Sequence, residues 1–170
     1  MDMVEIVDAD DRVIGRTTRD AAHSQHLLHR FVQVFVIDPG QRILVQRRSA
    51  AKKLGPLLFD ASVGAHVDAG ETYDQAVRRE AVEELGLPAG GSFELLGTVH
   101  HRTPPAENMI GRLYLHFSSG PFSGWETEAE RIDWLTPAEL EFMTLRFGYL
   151  FTAGMLSSSD LYLRRVGVRG

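Results

Sequence analysis

Glu80, Glu83 and Glu84 stand at i, i+3 and i+4, a spacing that sets three carboxylates on one face of a helix. Like charges this close repel, by roughly a few tenths of a kcal/mol per pair. A hard divalent cation reverses the sign of that interaction. Mg²⁺ takes oxygen ligands, is usually held by one or two carboxylates, and completes its shell with water and substrate phosphates. Glu71 lies just ahead of the helix and can point back into the cluster, and Arg79, four residues before Glu83, can brace one carboxylate. Gly64-Ala65-His66-Val67-Asp68-Ala69-Gly70 reads as a loop with glycine at both ends, able to bring its backbone close to a metal or a phosphate. Taken alone, an acidic helix face is simply solvated surface. The glycine loop and Glu71 turn it into a platform for a metal and a diphosphate. Arg47, Arg48, Lys52 and Lys53 cluster on the segment leading into that loop, where they can hold outer phosphates.

These residues need elements to position them. The spacing predicts a helix over Thr72 to Leu85, with Thr72 and Gln75 as a capping box and Gly86 and Pro88 as its stop. Phe31–Ile37 and Arg42–Arg47 flank the turn sequence Asp38-Pro39-Gly40-Gln41 and read as strands, the first apolar enough to be buried on both faces. Val4–Val7 and Arg12–Arg16 form an N-terminal hairpin, and Arg19–Gln25 a helical turn. Lys52–Asp60 reads as a loop. Phe93–His101, Ile110–Ser118 and Arg131–Leu135 read as strands. Thr136-Pro137-Ala138-Glu139 opens a further helix, and the tail from Arg146 to Val166 is helical with a break near Ser157–Asp160. The expectation is an α/β fold in which helices cover both faces of a mixed sheet. It forms one domain over residues 1–170, with a hairpin extension at about 1–28.

Composition narrows the function classes. A net charge of −5 argues against nucleic-acid binding, which goes with a basic balance. No run approaches the ~18 apolar residues of a membrane span. Cysteine is absent, which removes disulfides, thiolate metal sites and thiol nucleophiles. Met1–Glu5 is acidic where a secretory signal is basic and then apolar, so the cytoplasm is the expected compartment. Lys52 and Lys53 are the only lysines, against sixteen arginines, a bias that genomic background explains better than phosphate recognition does.

The acidic helix and its approach resemble the signature of Nudix hydrolases, G-x5-E-x7-R-E-U-x-E-E-x-G-U with U a bulky aliphatic. Here it runs Ala65-x5-Glu71-x7-Arg79-Glu80-Ala81-x-Glu83-Glu84-x-Gly86-Leu87. Ala65 replaces the leading glycine and Ala81 an aliphatic; the other specified positions match. The resemblance implies an α/β/α sandwich, with Glu80, Glu83 and Glu84 as divalent-metal ligands. Glu71 becomes the carboxylate that positions them, Arg79 the arginine that orients a glutamate, and Gly64 the residue whose carbonyl completes the metal shell. If position 65 requires a positive φ, alanine there costs about 1 kcal/mol or more and lowers activity.

A second resemblance is to isopentenyl-diphosphate isomerases and the hydrolases beside them. It is carried by Arg12-Val13-Ile14-Gly15, Leu27-Leu28-His29-Arg30, Val45-Gln46-Arg47-Arg48 and Ser62-Val63-Gly64-Ala65-His66. The isomerases hold a metal on histidines and glutamates. His23, His29 and His66 match three of those histidine positions and Glu107 one glutamate; Met109 stands at the second glutamate and Gly64 at the catalytic cysteine. Without the cysteine, allylic proton transfer lacks its acid–base partner, whereas the Arg79–Glu84 block is what the hydrolases keep. By spacing alone, His23, His26 and His29 could bind a transition metal, although packing and hydrogen bonding is the commoner role for such histidines. His100-His101 ends a strand on the substrate side. Trp134 reads as core, while Trp125, borne on a loop, could stack on a base.

The implied activity is Mg²⁺-dependent hydrolysis of a diphosphate bond in nucleoside 5′-di- or triphosphates or nucleoside diphosphate derivatives, releasing a nucleoside monophosphate, with Mn²⁺ as an alternative metal. The general base is a box glutamate, Glu83 or Glu84, or a loop residue, of which Glu128 is the best placed and Glu126 and Glu130 are neighbours. The alternatives are an isomerase and a non-catalytic ligand-binding domain of the same fold. The expected partner is a small nucleotide, with neither nucleic acid nor membrane, and the chain a monomer or homodimer.

Overall fold

The computed structural model describes residues 2–103 and 107–169. Strands β1 (Met3–Val7) and β2 (Val13–Thr18) form the N-terminal antiparallel hairpin, and α1 (Arg19–Ser24) follows, capped by the Thr18 hydroxyl. β3 (His29–Ile37) is the hub of a mixed nine-stranded sheet. It runs antiparallel to β4 (Ile43–Arg48) and β6 (Val63–His66), and parallel over its whole length to β8 (Glu107–Phe117). β7 (Glu94–Thr103) extends the sheet beside β8. β5 (Phe59–Asp60) and β9 (Ala129–Leu135) both pair with β4.

Alternation along β3 builds two cores. Phe31, Phe35 and Ile37 face helices α3 (Pro137–Arg146) and α4 (Ala153–Arg165), packing on Leu140, Met155 and Leu163. Val32, Val34 and Val36 face α2 (Tyr73–Leu85), packing on Ala76, Val77, Ala81 and Leu85. The layers are therefore helix, sheet, helix, the sandwich expected. The capping box at Thr72 and Gln75 forms as predicted, and Gly86 ends α2 at φ 63°, the left-handed turn that glycine adopts without a Cβ penalty. Among the described residues no helix is long and apolar enough to cross a membrane.

Four local expectations are corrected. Val63–His66 is a strand and not part of a glycine loop, because its small residues fit between β3 and the flanking layers and its register to β3 is continuous from His66 to Val63. Phe59 and Asp60, expected in a loop, pair with Arg47 and Gln46. α4 runs unbroken through Ser157–Asp160, since Ser157 Oγ bonds back to Ala153 O (3.1 Å) and Ser158 Oγ donates to Gln33 Oε1 in the core (2.5 Å). The break in the tail lies earlier, at the 3-10 turn Gly148–Leu150. Finally, Ala65 pairs with Val32 inside β6 and is not among the positive-φ residues, so alanine carries no backbone penalty there.

Candidate functional site

Arg79 organises the acidic helix. Its Nε and Nη2 donate to the two oxygens of Glu71 at 2.8 Å each, a planar bidentate pair. The same guanidinium bonds to Glu80 and lies 3.6 Å from both Glu83 and Asp68. Glu71 also accepts the Asp68 backbone N–H at 3.1 Å, which fixes the loop ahead of the helix. The Arg79 hydrogen bonds hold the Glu71 carboxyl below its ordinary range, and those that Arg79 donates to Glu71 foremost keep the guanidinium firmly protonated.

The three helix carboxylates have unequal surroundings. Glu83 is exposed, Glu80 is half-buried, and Glu84 is only 6% exposed. Burial pushes the Glu80 carboxyl up, against the pull of Arg79. Burial pushes Glu84 well above its usual value, and Glu80, Glu128 and Asp60 add to that. Its hydrogen-bond donor is Gln46 Nε2, at 3.4 Å. A buried carboxylate among carboxylates costs roughly several kcal/mol unless a cation compensates. An all-oxygen donor set of this kind fits Mg²⁺ or Mn²⁺.

Glu128 follows the 3-10 turn Trp125–Thr127, directly before β9, and is near enough to Glu84 to raise its carboxyl. The turn approaches α2 closely because residue 124 is glycine: at φ +89°, a Cβ there would lie 2.7 Å from Glu83 O. Glu128 pairs with Lys52, and Glu130 accepts the Ala50 N–H at 2.9 Å. Arg48 donates to Asp60 Oδ2 (2.8 Å) and Leu54 O (3.0 Å), while Arg47 Nε reaches Leu57 O (3.3 Å) and Lys53 is exposed. The basic cluster is thus split: Arg48 and Lys52 have acidic partners, whereas Arg47 is tied to a carbonyl. Gly64 sits in β6 opposite Gln33, two residues before His66. Trp125 and Trp134 pack against the core under α2.

Two buried residues escaped sequence reasoning. Asp60 accepts from Arg48, Thr152 Oγ1 (2.9 Å) and the Ala61 N–H (2.9 Å), and Gln46 reaches Glu84. Both are polar residues in short strand segments, with no spacing signal. The histidines also regroup. His26 sits in a turn at φ 54°, after α1 has ended, so the spacing of His23, His26 and His29 does not form one ligand face. The sheet instead brings His23, His29 and His66 together, with one ligand nitrogen of each within 4.8 Å of the others. His101 is buried beside them and Glu107 lies 3.7 Å from its Nδ1, whereas His100 is exposed.

Comparison with known proteins gives a consistent result. A family profile described as the NUDIX domain matches residues 27–152. The chain is 36% identical over 162 residues to an uncharacterized Nudix hydrolase, YfcD, of Escherichia coli K12, covering 95% of this chain and 87% of that protein. An uncharacterized Nudix hydrolase of Yersinia pestis is 35% identical over 165 residues, covering 97% and 87%. Among solved structures, DR0079 from Deinococcus radiodurans superposes with a TM-score of 0.74 at 28% identity, covering 96% of this chain and 98% of that one.

Proposed function

The chain belongs to the Nudix hydrolase family, whose members act on phosphorus anhydrides, and from that premise we propose that it cleaves a diphosphate bond of nucleoside 5′-di- or triphosphates or of nucleoside diphosphate derivatives. The product is a nucleoside monophosphate and the compartment the cytoplasm. The observation that carries the reading is Glu84, buried beside Glu80, Glu128 and Asp60, where a bound cation offsets the repulsion of its ionised form.

In this reading Glu80, Glu83 and Glu84 hold Mg²⁺, with the Gly64 carbonyl completing the set. Mg²⁺ bound there neutralises phosphate oxygens and lowers the pKa of the attacking water. Arg79 and Glu71 keep the helix and its approach loop in register for that binding. Glu128 takes the proton from the attacking water; phosphate arriving at Lys52 draws the ammonium away and frees the carboxylate. Arg47 and Lys53 hold the outer phosphates, while Arg48, tied to Asp60, shapes the loop beneath them.

The test is incubation of the purified protein with Mg²⁺ and a panel of nucleoside di- and triphosphates, nucleotide sugars, dinucleoside polyphosphates and isopentenyl diphosphate, with an EDTA control. Metal-dependent release of a nucleoside monophosphate is expected, and Glu83→Gln loses most turnover with an unchanged far-UV spectrum. Full turnover in Glu83→Gln, or rearranged isoprenoid as the only product, overturns the assignment.

A further inference from the structure

Helix α3 carries two apolar faces where a surface helix needs one. Leu140 is fully buried in the core beneath α3 and α4. On the other side Ala138, Phe142 and Leu145 follow at i, i+4 and i+7, the spacing of a stripe that packs against something. All three are exposed, Phe142 to 57% and Leu145 to 67%. The row continues past the helix: the Phe142 and Phe147 rings are 6.1 Å apart, those of Phe147 and Tyr149 6.5 Å, and Tyr149 is 75% exposed. Beside Phe142 an open groove of about 310 Å³ is also lined by Leu135, Ala138, Glu139 and Met143. That volume stands at the bottom of the roughly 300–1,000 Å³ range of small-molecule sites, and Glu139 alone is too little to orient a ligand. The groove suits a single inserted aromatic ring.

The charges on this face are opposite at its two ends. Glu139 and Arg146 are seven residues apart, which sets them on one line along the helix to within about 20°. Glu139 uses one oxygen, Oε2, to close the helix cap, accepting from the Thr136 N–H and hydroxyl at 2.8 Å each. Arg146 has no acidic partner among the described residues. Laid antiparallel on a second α3, the face matches itself: Ala138 meets Leu145, Glu139 meets Arg146, and Phe142 meets Phe142. All three pairings are centred beside Phe142. A parallel arrangement would set Arg146 on Arg146 and Glu139 on Glu139. The antiparallel one also brings the positive end of each helix dipole to the negative end of the other. Such reciprocity, residue i on j and j on i, belongs to a two-fold interface.

The patch is also large enough. At roughly 200 Å² a ring, Phe142, Phe147 and Tyr149 leave about 340 Å² of aromatic surface uncovered, to which Leu145 and Leu150 add. A stable interface buries about 800 Å² per partner, some 56–58% of it non-polar, and so needs about 450 Å² of apolar surface on each side. We propose that α3 and the aromatic turn after it pair with the same face of a second copy of this chain, the two α3 helices running antiparallel across a two-fold axis beside Phe142, with Glu139 of each opposite Arg146 of the other. The pairing is independent of the hydrolase reading, since α3 covers the side of the sheet opposite the acidic helix.

Sedimentation velocity of the full-length protein over rising concentration tests it. A species of 19.0 kDa is expected to give way to one of twice that mass. Phe142→Ala, at an exposed position, should raise the dissociation constant at least about 30-fold, the loss that removal of a central aromatic anchor brings. Arg146→Glu and Glu139→Arg each set like charges together at both ends of the interface and should each dissociate more readily than the wild type. Mixed with one another they regain an opposite pair at each end, and the heavier species should return. Circular dichroism checks that all three variants keep the fold. A 19.0 kDa species throughout the titration overturns the proposal and leaves the face to an unlike partner. A dimer that Phe142→Ala leaves unchanged places the interface elsewhere and overturns it too. A mixture of the two charge variants that pairs no more tightly than either alone overturns the antiparallel register.

Discussion

A carboxylate as deeply buried as Glu84, with Gln46 Nε2 at 3.4 Å as its donor, raises the free energy of the metal-free fold. Its folded pKa lies well above the ordinary 4.5, and the sign of the pH effect follows. Below the unfolded value the group is protonated in both states and costs nothing. As pH rises, the unfolded chain ionises first and stability is lost until the folded carboxyl ionises too. In EDTA, thermal melts should therefore fall in midpoint as pH climbs above the ordinary carboxylate range. Glu84→Gln should flatten that slope and melt higher than the wild type in EDTA at neutral pH, yet gain less from added Mg²⁺. A variant with the same slope as the wild type shows that the buried charge lies elsewhere.

At the scale of elements, the proposed role of Glu128 depends on how closely the 3-10 turn before β9 approaches the end of α2. Gly124 permits that approach, since it sits at φ +89° and a Cβ there would lie only 2.7 Å from Glu83 O. Gly124→Ala must move the turn and with it Glu128. If the shift is near 1 Å, kcat should fall by up to about 10²-fold. Mg²⁺ affinity, measured by calorimetry, should be kept because the helix ligands stay in place. Loss of affinity in parallel with kcat shows instead that the turn supports the helix. Local signals made the helix legible: the capping box, the stop glycine and the i, i+3, i+4 glutamates all lie within one short segment. Strand β6 was illegible for the opposite reason, since Gly64 and Ala65 look like a loop until β3 is laid beside them. The imidazole trio was legible through the isomerase resemblance and not through helical spacing, because three separate elements, α1, β3 and β6, bring it together. The serines of α4 suggested a helix stop, but a hydrogen bond from Ser158 to Gln33 on the sheet places them in the core.

For the whole molecule, α4 is clamped to the sheet at a point without side-chain volume. A Cβ at Gly154 would lie 3.1 Å from both Gln33 Nε2 and His101 Cε1. Gly154→Leu should lift the helix from the imidazole side and cost about 1–3 kcal/mol in urea unfolding, the usual range for overpacking a core. A cost near zero would mean that α4 shifts freely over the sheet.

Beneath α4, β3 separates the two sides of the protein by parity. Its odd-numbered residues from Phe31 to Ile37 line the α3–α4 core, on the side that His29 also faces, and the even-numbered Val32, Val34 and Val36 line the core under the acidic helix. Neighbouring letters in this one stretch of sequence therefore belong to different cores. Drift at alternate codons can reshape one side while leaving the other legible, and a mutational scan read two positions at a time should separate into two unrelated phenotypes.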